Sequence, residues 1–240
     1  MSDKLQTQDA PAEGLAQPLY APIKRRSFFM YAGATAGATA LVLSGCDDDD
    51  DVKPNGPQGN SMIGSAISLG SGDVGVLNYA YALEQLEADF YTKVVAANVL
   101  TGVEQAYFLE VAKHEAIHRD FFKAAISRDA AGQLLRPLTP MYPAGTFATR
   151  TSILTTARTF EDLGVAAYNG AGKLIKKADY LVIAGQIVSV EARHAAYIRE
   201  LITPGSFAPD VLDGAMMPAD VLTAAQPFIT EKLDGSSIGK

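Results

Sequence analysis

The feature that most constrains this chain is an internal repeat of its acidic and histidine residues. Residues 83–91 read LEQLEADFY and residues 160–168 read FEDLGVAAY. Aligned without gaps, Glu84 falls on Glu161, Leu86 on Leu163 and Tyr91 on Tyr168. Residues 114–118, HEAIH, and 190–194, VEARH, set Glu115 on Glu191 and His118 on His194. The interval from Glu84 to Glu115 is 31 residues, and that from Glu161 to Glu191 is 30. Each half thus delivers a Glu and then a Glu-x-x-His after the same length of chain. There are only 3 His in 240 residues, yet two of them have Glu three positions before them.

The sequence around these residues has helical periodicity. Helices are expected over 73–97, 101–128, 149–170 and 178–202, with a short helix near 218–228. Thr101-Gly102-Val103-Glu104 has the form of a capping box opening the second helix. Gly170 and Gly172 read as the stop of the third, and Pro204 follows the fourth. Pro137, Pro140 and Pro143 break the chain between helices two and three, where the connection runs to roughly 20 residues. The expected fold class is therefore all-α: a four-helix bundle with one long crossover between helices 2 and 3, which is ferritin-like connectivity.

At the three-and-four spacing of a bundle seam, each helix shows an inward stripe. The stripes are Leu77, Ala80, Glu84, Glu87, Tyr91, Val94; Phe108, Val111, Glu115, His118, Phe122, Ala125; Leu154, Ala157, Glu161, Gly164, Tyr168, Ala171; and Ala184, Ile187, Glu191, His194, Ile198, Leu201. All are apolar above and below a polar centre, so the polar residues should meet at one level of the core. Burying several carboxylates together is very costly unless something neutralises them. Two metal cations would do so. One Glu from each of two helices and Glu-x-x-His from each of the other two is the ligand set of di-iron and di-manganese carboxylate bundles. Residues i and i+3 share a helix face, so Glu can bridge two metals while His caps one. The expected ligands are Glu84, Glu115, His118, Glu161, Glu191 and His194. Carboxylate and imidazole suit iron or manganese, with iron expected over manganese.

Four further residues lie near this set. His114-Glu115-Ala116-Ile117-His118 also matches H-E-x-x-H, a zinc-protease pattern, but the repeat has Val190 where His114 stands. His114 is therefore left out of the ligands, beside the seam. Glu87 faces a gap left by Gly164, either as a fifth carboxylate or as an acceptor for a His ring N–H. Tyr91 and Tyr168 serve either in proton or electron transfer or as core residues with satisfied hydroxyls.

The stretches LNYAYALEQLEADFY, HEAIHRDFF, FEDLGVAAYNGA and VEARHAAYIREL resemble the bacterial ferritin-like domain family that includes desiccation-related proteins. The resemblance covers about 74–201 and extends through the tail to 228. It implies the bundle fold and the metal, and the six ligands carry over position by position.

The N-terminal part reads as an address. Arg25-Arg26-Ser27-Phe28-Phe29 resembles a twin-arginine export signal, and Leu43-Ser44-Gly45-Cys46 after an apolar run resembles a bacterial lipobox. The expected organisation is a signal peptide over 1–45, an acidic flexible tether over 46–72, the bundle over 73–203 and a tail with a short helix over 204–240. Asp47 to Asp51 reads as a solvated spacer. The protein is expected on the periplasmic or cell-surface side of the membrane, held by a lipid on Cys46. Its single Cys excludes an internal disulfide framework. Its net charge of -7 argues against a nucleic-acid partner. The expected function is ferrous iron oxidation or peroxide removal at the di-metal centre. Alternatives are a non-enzymatic stress or desiccation-related protein and a manganese catalase-like enzyme.

Overall fold

A computed structural model describes residues 62, 63 and 66–240. The expected signal, Cys46 and the acidic run lie outside the described residues. Four long helices make the body: α1 (Gly72–Ala97), α2 (Gly102–Asp129), α3 (Arg150–Gly172) and α4 (Ala178–Ile202). A short α5 (Pro218–Ala225) follows, and a small sheet joins β1 (Met62–Ile63), β2 (Ala66–Ser68) and β3 (Lys232–Asp234). The bounds of the four long helices fall within two residues of those expected from the sequence, and the short one ends at Ala225. Helix α1 packs on α2, α3 packs on α4, and α1 meets α3 across the two hairpins. No residue of the four inward stripes is exposed. Among the described residues, no helix is long and apolar enough to cross a membrane.

Helix α1 differs from an ordinary surface helix, because residues 75–88 are all buried. Its sequence is apolar nearly all round, which suits a helix covered on its outer side as well. The crossover supplies the cover and is fixed to α1 by side chains along one edge. Buried Asn78 donates to the carbonyls of Leu69 (3.0 Å) and Gln133 (2.8 Å) and accepts from Leu135 N–H (2.9 Å). One helical span further on, Gln85 Oε1 accepts from Leu138 N–H at 2.9 Å. The Tyr142 hydroxyl donates to Asp89 at 2.8 Å. The backbone groups of the irregular crossover that lie against α1 thereby find partners. Beyond them Phe90, Tyr142, Phe147, Phe160 and Phe228 stack edge-on or tilted, tying crossover, α1, α3 and tail together.

Three local expectations are corrected. The tether does not extend to residue 72: Ile67 and Leu69 are buried, and β2 pairs antiparallel with β1 and parallel with β3. Thr101 makes no side-chain cap on α2, and Glu104 accepts from Arg150 at 2.6 and 2.9 Å instead of reaching back to the Thr101 N–H. The capping box lies instead at the start of α3, where Thr149 and Ser152 exchange backbone N–H bonds at 3.1 Å. Gly170 does not stop α3, which continues to Gly172. It admits the tail: a Cβ there would stand 1.7 Å from the Met216 carbonyl oxygen, and Met216 N–H bonds the Ala166 carbonyl at 2.9 Å.

Asn78→Ala is expected to leave three backbone groups unpaired, two of them on the buried residues Leu69 and Leu135, and to lower stability by roughly 2–4 kcal/mol. Urea unfolding checks this: a shift in midpoint worth under about 1 kcal/mol would mean that the crossover is not held by Asn78.

Candidate metal centre

The mid-levels of the four stripes meet. Glu84 comes from α1, Glu115 and His118 from α2, Glu161 from α3, and Glu191 and His194 from α4. All four carboxylates are essentially without solvent exposure. They form two groups of four that could hold a metal ion, with ligand atoms within 4.8 Å of one another. One is Glu84, Glu115, His118 and Glu191; the other is Glu115, Glu161, Glu191 and His194. Glu115 and Glu191 belong to both. Each Glu-x-x-His turn thus contributes one shared carboxylate and one unshared imidazole, as residues on one helix face must.

Within each group the imidazole stands among the carboxylates. His118 Nδ1 lies 2.8 Å from Glu191, 3.2 Å from Glu115 and 3.6 Å from Glu84. His194 Nδ1 lies 3.0 Å from Glu115, 3.5 Å from Glu161 and 3.7 Å from Glu191. Despite those short distances, His194 Nδ1, Glu115 Oε1, Glu84 Oε2, Glu161 Oε2 and both Glu191 oxygens lack an aligned hydrogen bond. Buried polar atoms without partners are rare and costly. Here all six belong to residues of the two groups. Carboxylate and imidazole donors that share two carboxylates fit a pair of cations separated by a few ångströms.

The tyrosines close the outer side. Tyr91 on α1 donates to Glu161 on α3, and Tyr168 on α3 donates to Glu84 on α1. This crosswise pattern follows from the repeat, since each half orients the terminal carboxylate of the other. Burial first, then the neighbouring carboxylate, raises both phenols well above their ordinary range, so they stay protonated and donate. Glu87 belongs to neither group, and no imidazole hydrogen-bonds to it. It is buried beside Gly164, where a Cβ would stand 3.2 Å from its Oε1. Burial and the four nearby carboxylates raise its pKa well above the usual range, so it is held neutral. His114 is also outside both groups. Its ring lies against His194 rather than converging with His118, so the zinc-protease geometry is not formed.

Without bound cations the cluster rearranges its protons. Two carboxylates about 5 Å apart at an effective dielectric near 20 repel by roughly 3 kcal/mol. Burial pushes Glu84 up to about 8, against the opposing pull of His118. Burial disfavours the imidazolium forms, but the surrounding carboxylates outweigh it and push His118 and His194 up to about 12. Burial likewise disfavours a charged Glu191, yet both imidazoles hold its carboxylate down to about 2. Burial raises Glu161 as well, against the opposing pull of His194, so two glutamates and two imidazoles keep protons where cations could otherwise sit.

Residues 72–204 match the model of a family described as a ferritin-like domain, a span from the start of α1 to just past α4. No curated protein matches the chain.

In the metal-free protein Glu84 keeps its proton between the unfolded value of 4.5 and about 8. Folded stability from this group is therefore present at low pH and lost as pH rises across that window. The two imidazoles act in the same sense from 6.5 upward, while Glu191 acts oppositely below 4.5. The metal-free Tm is expected to fall as pH rises from about 5 to about 8. A Tm that climbs over that range in thermal melts would contradict a protonated Glu84.

Proposed function

The chain belongs to the ferritin-like domain family, and on that footing we propose that it holds two metal ions, iron rather than manganese, and acts as a di-metal oxidoreductase on ferrous iron or peroxide. The observation that carries this reading is the sharing of Glu115 and Glu191 between two otherwise separate ligand groups. Four carboxylates bring four negative charges into an apolar core, and two divalent cations balance them. Glu84 and His118 would hold one ion, Glu161 and His194 the other, and Glu115 and Glu191 both. Hard oxygen donors favour the higher charge of the oxidised state. When bound, the ion pair supplies two electrons at neighbouring positions, the number that converts hydrogen peroxide, with two protons, into two waters.

The chain's own residues do the rest. The phenols of Tyr91 and Tyr168 hold the outer oxygens of Glu161 and Glu84, so the inner oxygens keep their aim. Apolar stripe residues above and below exclude bulk water. Neutral, buried Glu87 lines a small cleft beside the site with Leu83, Leu86, Phe160 and Leu163, where it would offer a proton. The same reading places the protein outside the cytoplasmic membrane. Arg25-Arg26 and Cys46 stand in the order of an export signal and a lipid attachment site. An export route that carries folded proteins suits a centre buried in a core.

Metal analysis of the full chain after anaerobic ferrous loading is expected to give about two equivalents, and less than about a tenth would end the di-metal reading. Glu115→Ala should lose both ions, whereas Glu84→Ala or Glu161→Ala should lose one. Ferrous oxidation with peroxide consumption is expected from the iron form. Peroxide disproportionation confined to a manganese form would select the catalase-like alternative instead.

A further inference from the structure

The two halves of the centre match in their ligands and differ in what stands behind the imidazoles. His194 Nε2 lies 2.9 Å from His114 Nδ1. The ring centroids are 5.1 Å apart and the planes 11° from parallel, so the two imidazoles lie edge to edge. The carbonyl of His194 also accepts from the Tyr107 hydroxyl at 3.2 Å. For His118, the polar neighbours among the described residues are the carboxylates of Glu84, Glu115 and Glu191 alone. Its side chain is 12% exposed against 4% for His194. The cause is a single break in the repeat. His114 precedes Glu115 by one residue, whereas Val190 precedes Glu191. The first hairpin therefore offers an acceptor to the imidazole of the second and receives none in return.

This contact selects a tautomer. His194 turns Nδ1 toward Glu115, Glu161 and Glu191, so a metal there would take the Nδ1 lone pair and leave the proton on Nε2. That N–H then donates to His114 Nδ1, which puts the proton of His114 on its own Nε2. An imidazole held in this way is fixed in orientation and is a stronger donor, and loss of such an outer partner commonly costs 10–100-fold in metal affinity.

We propose that His114 is a positioning residue that makes the two metal positions unequal: the one held by Glu161 and His194 is tight and fills first, and the one held by Glu84 and His118 is weaker and exchanges. The proposal rests on the di-metal reading above. The test is a cobalt(II) titration of the full chain, followed by the visible absorption of the bound ion. The native sequence is expected to bind two ions in two resolved steps. His114→Ala should weaken the first step roughly tenfold or more and leave the second within about twofold. His114→Gln, whose amide oxygen can accept the same proton, should retain most of the first step. Glu161→Ala should remove the tight step, and Glu84→Ala the weak one. Two ions bound with equal affinity, an unchanged first step in His114→Ala, equal weakening of both steps, no rescue by Gln, or the reverse assignment of Glu84 and Glu161 would each overturn the proposal. Failure of the native chain to bind any cobalt would overturn the di-metal reading itself.

Discussion

Four carboxylates cannot remain charged and unpaired at the centre of an apolar bundle, and the structure is organised around that constraint. Each of the four helices places one of them at the same level. The outer oxygens of Glu84 and Glu161 are taken by tyrosine hydroxyls, and two imidazoles stand among the inner ones. Several atoms are still left without aligned partners. In the absence of cations, the cluster is balanced by protons held on Glu84, Glu161 and the imidazoles against their ordinary tendencies. Such a core could hold metal cations in place of those protons.

Much of this was legible in the sequence, for physical reasons that can be stated residue by residue. Helical spacing fixes which side chains share a face, so the inward stripes and their polar mid-levels follow from periodicity alone. The repeat then separates Glu84 from Glu87 and His118 from His114, and the structure groups the same six residues. What could not be read depends on contacts between distant segments. Asn78 looks like one polar residue on an apolar helix until the crossover is in place beside it. Glu104 has the right spacing for a cap, yet a charged partner 46 residues away outcompetes the backbone. Gly170 resembles a helix stop, although its role is to let the Met216 backbone approach. Nothing local in 62–68 announces a strand, because its parallel partner lies at 232–234.

The halves of the repeat are similar without being equivalent, and the departures fall at the margins of the cluster. Glu87 answers to Gly164, so one carboxyl occupies the space that the other half leaves empty. His114 answers to Val190, so one imidazole is backed and the other is not. The sequence repeat accounts for the six grouped residues, and its local failure gives each half its own surroundings.

The small sheet also has a mechanical consequence. Strand β2 lies between β1 and β3 and runs parallel to β3, and the residues after β3 return to the start of α1, where Gly239 N–H meets the Gly72 carbonyl. Tension drawn between the two ends of the folded body would load the parallel pair in shear, with its hydrogen bonds stretched together. The helices that carry the buried cluster would lie outside the main line of force.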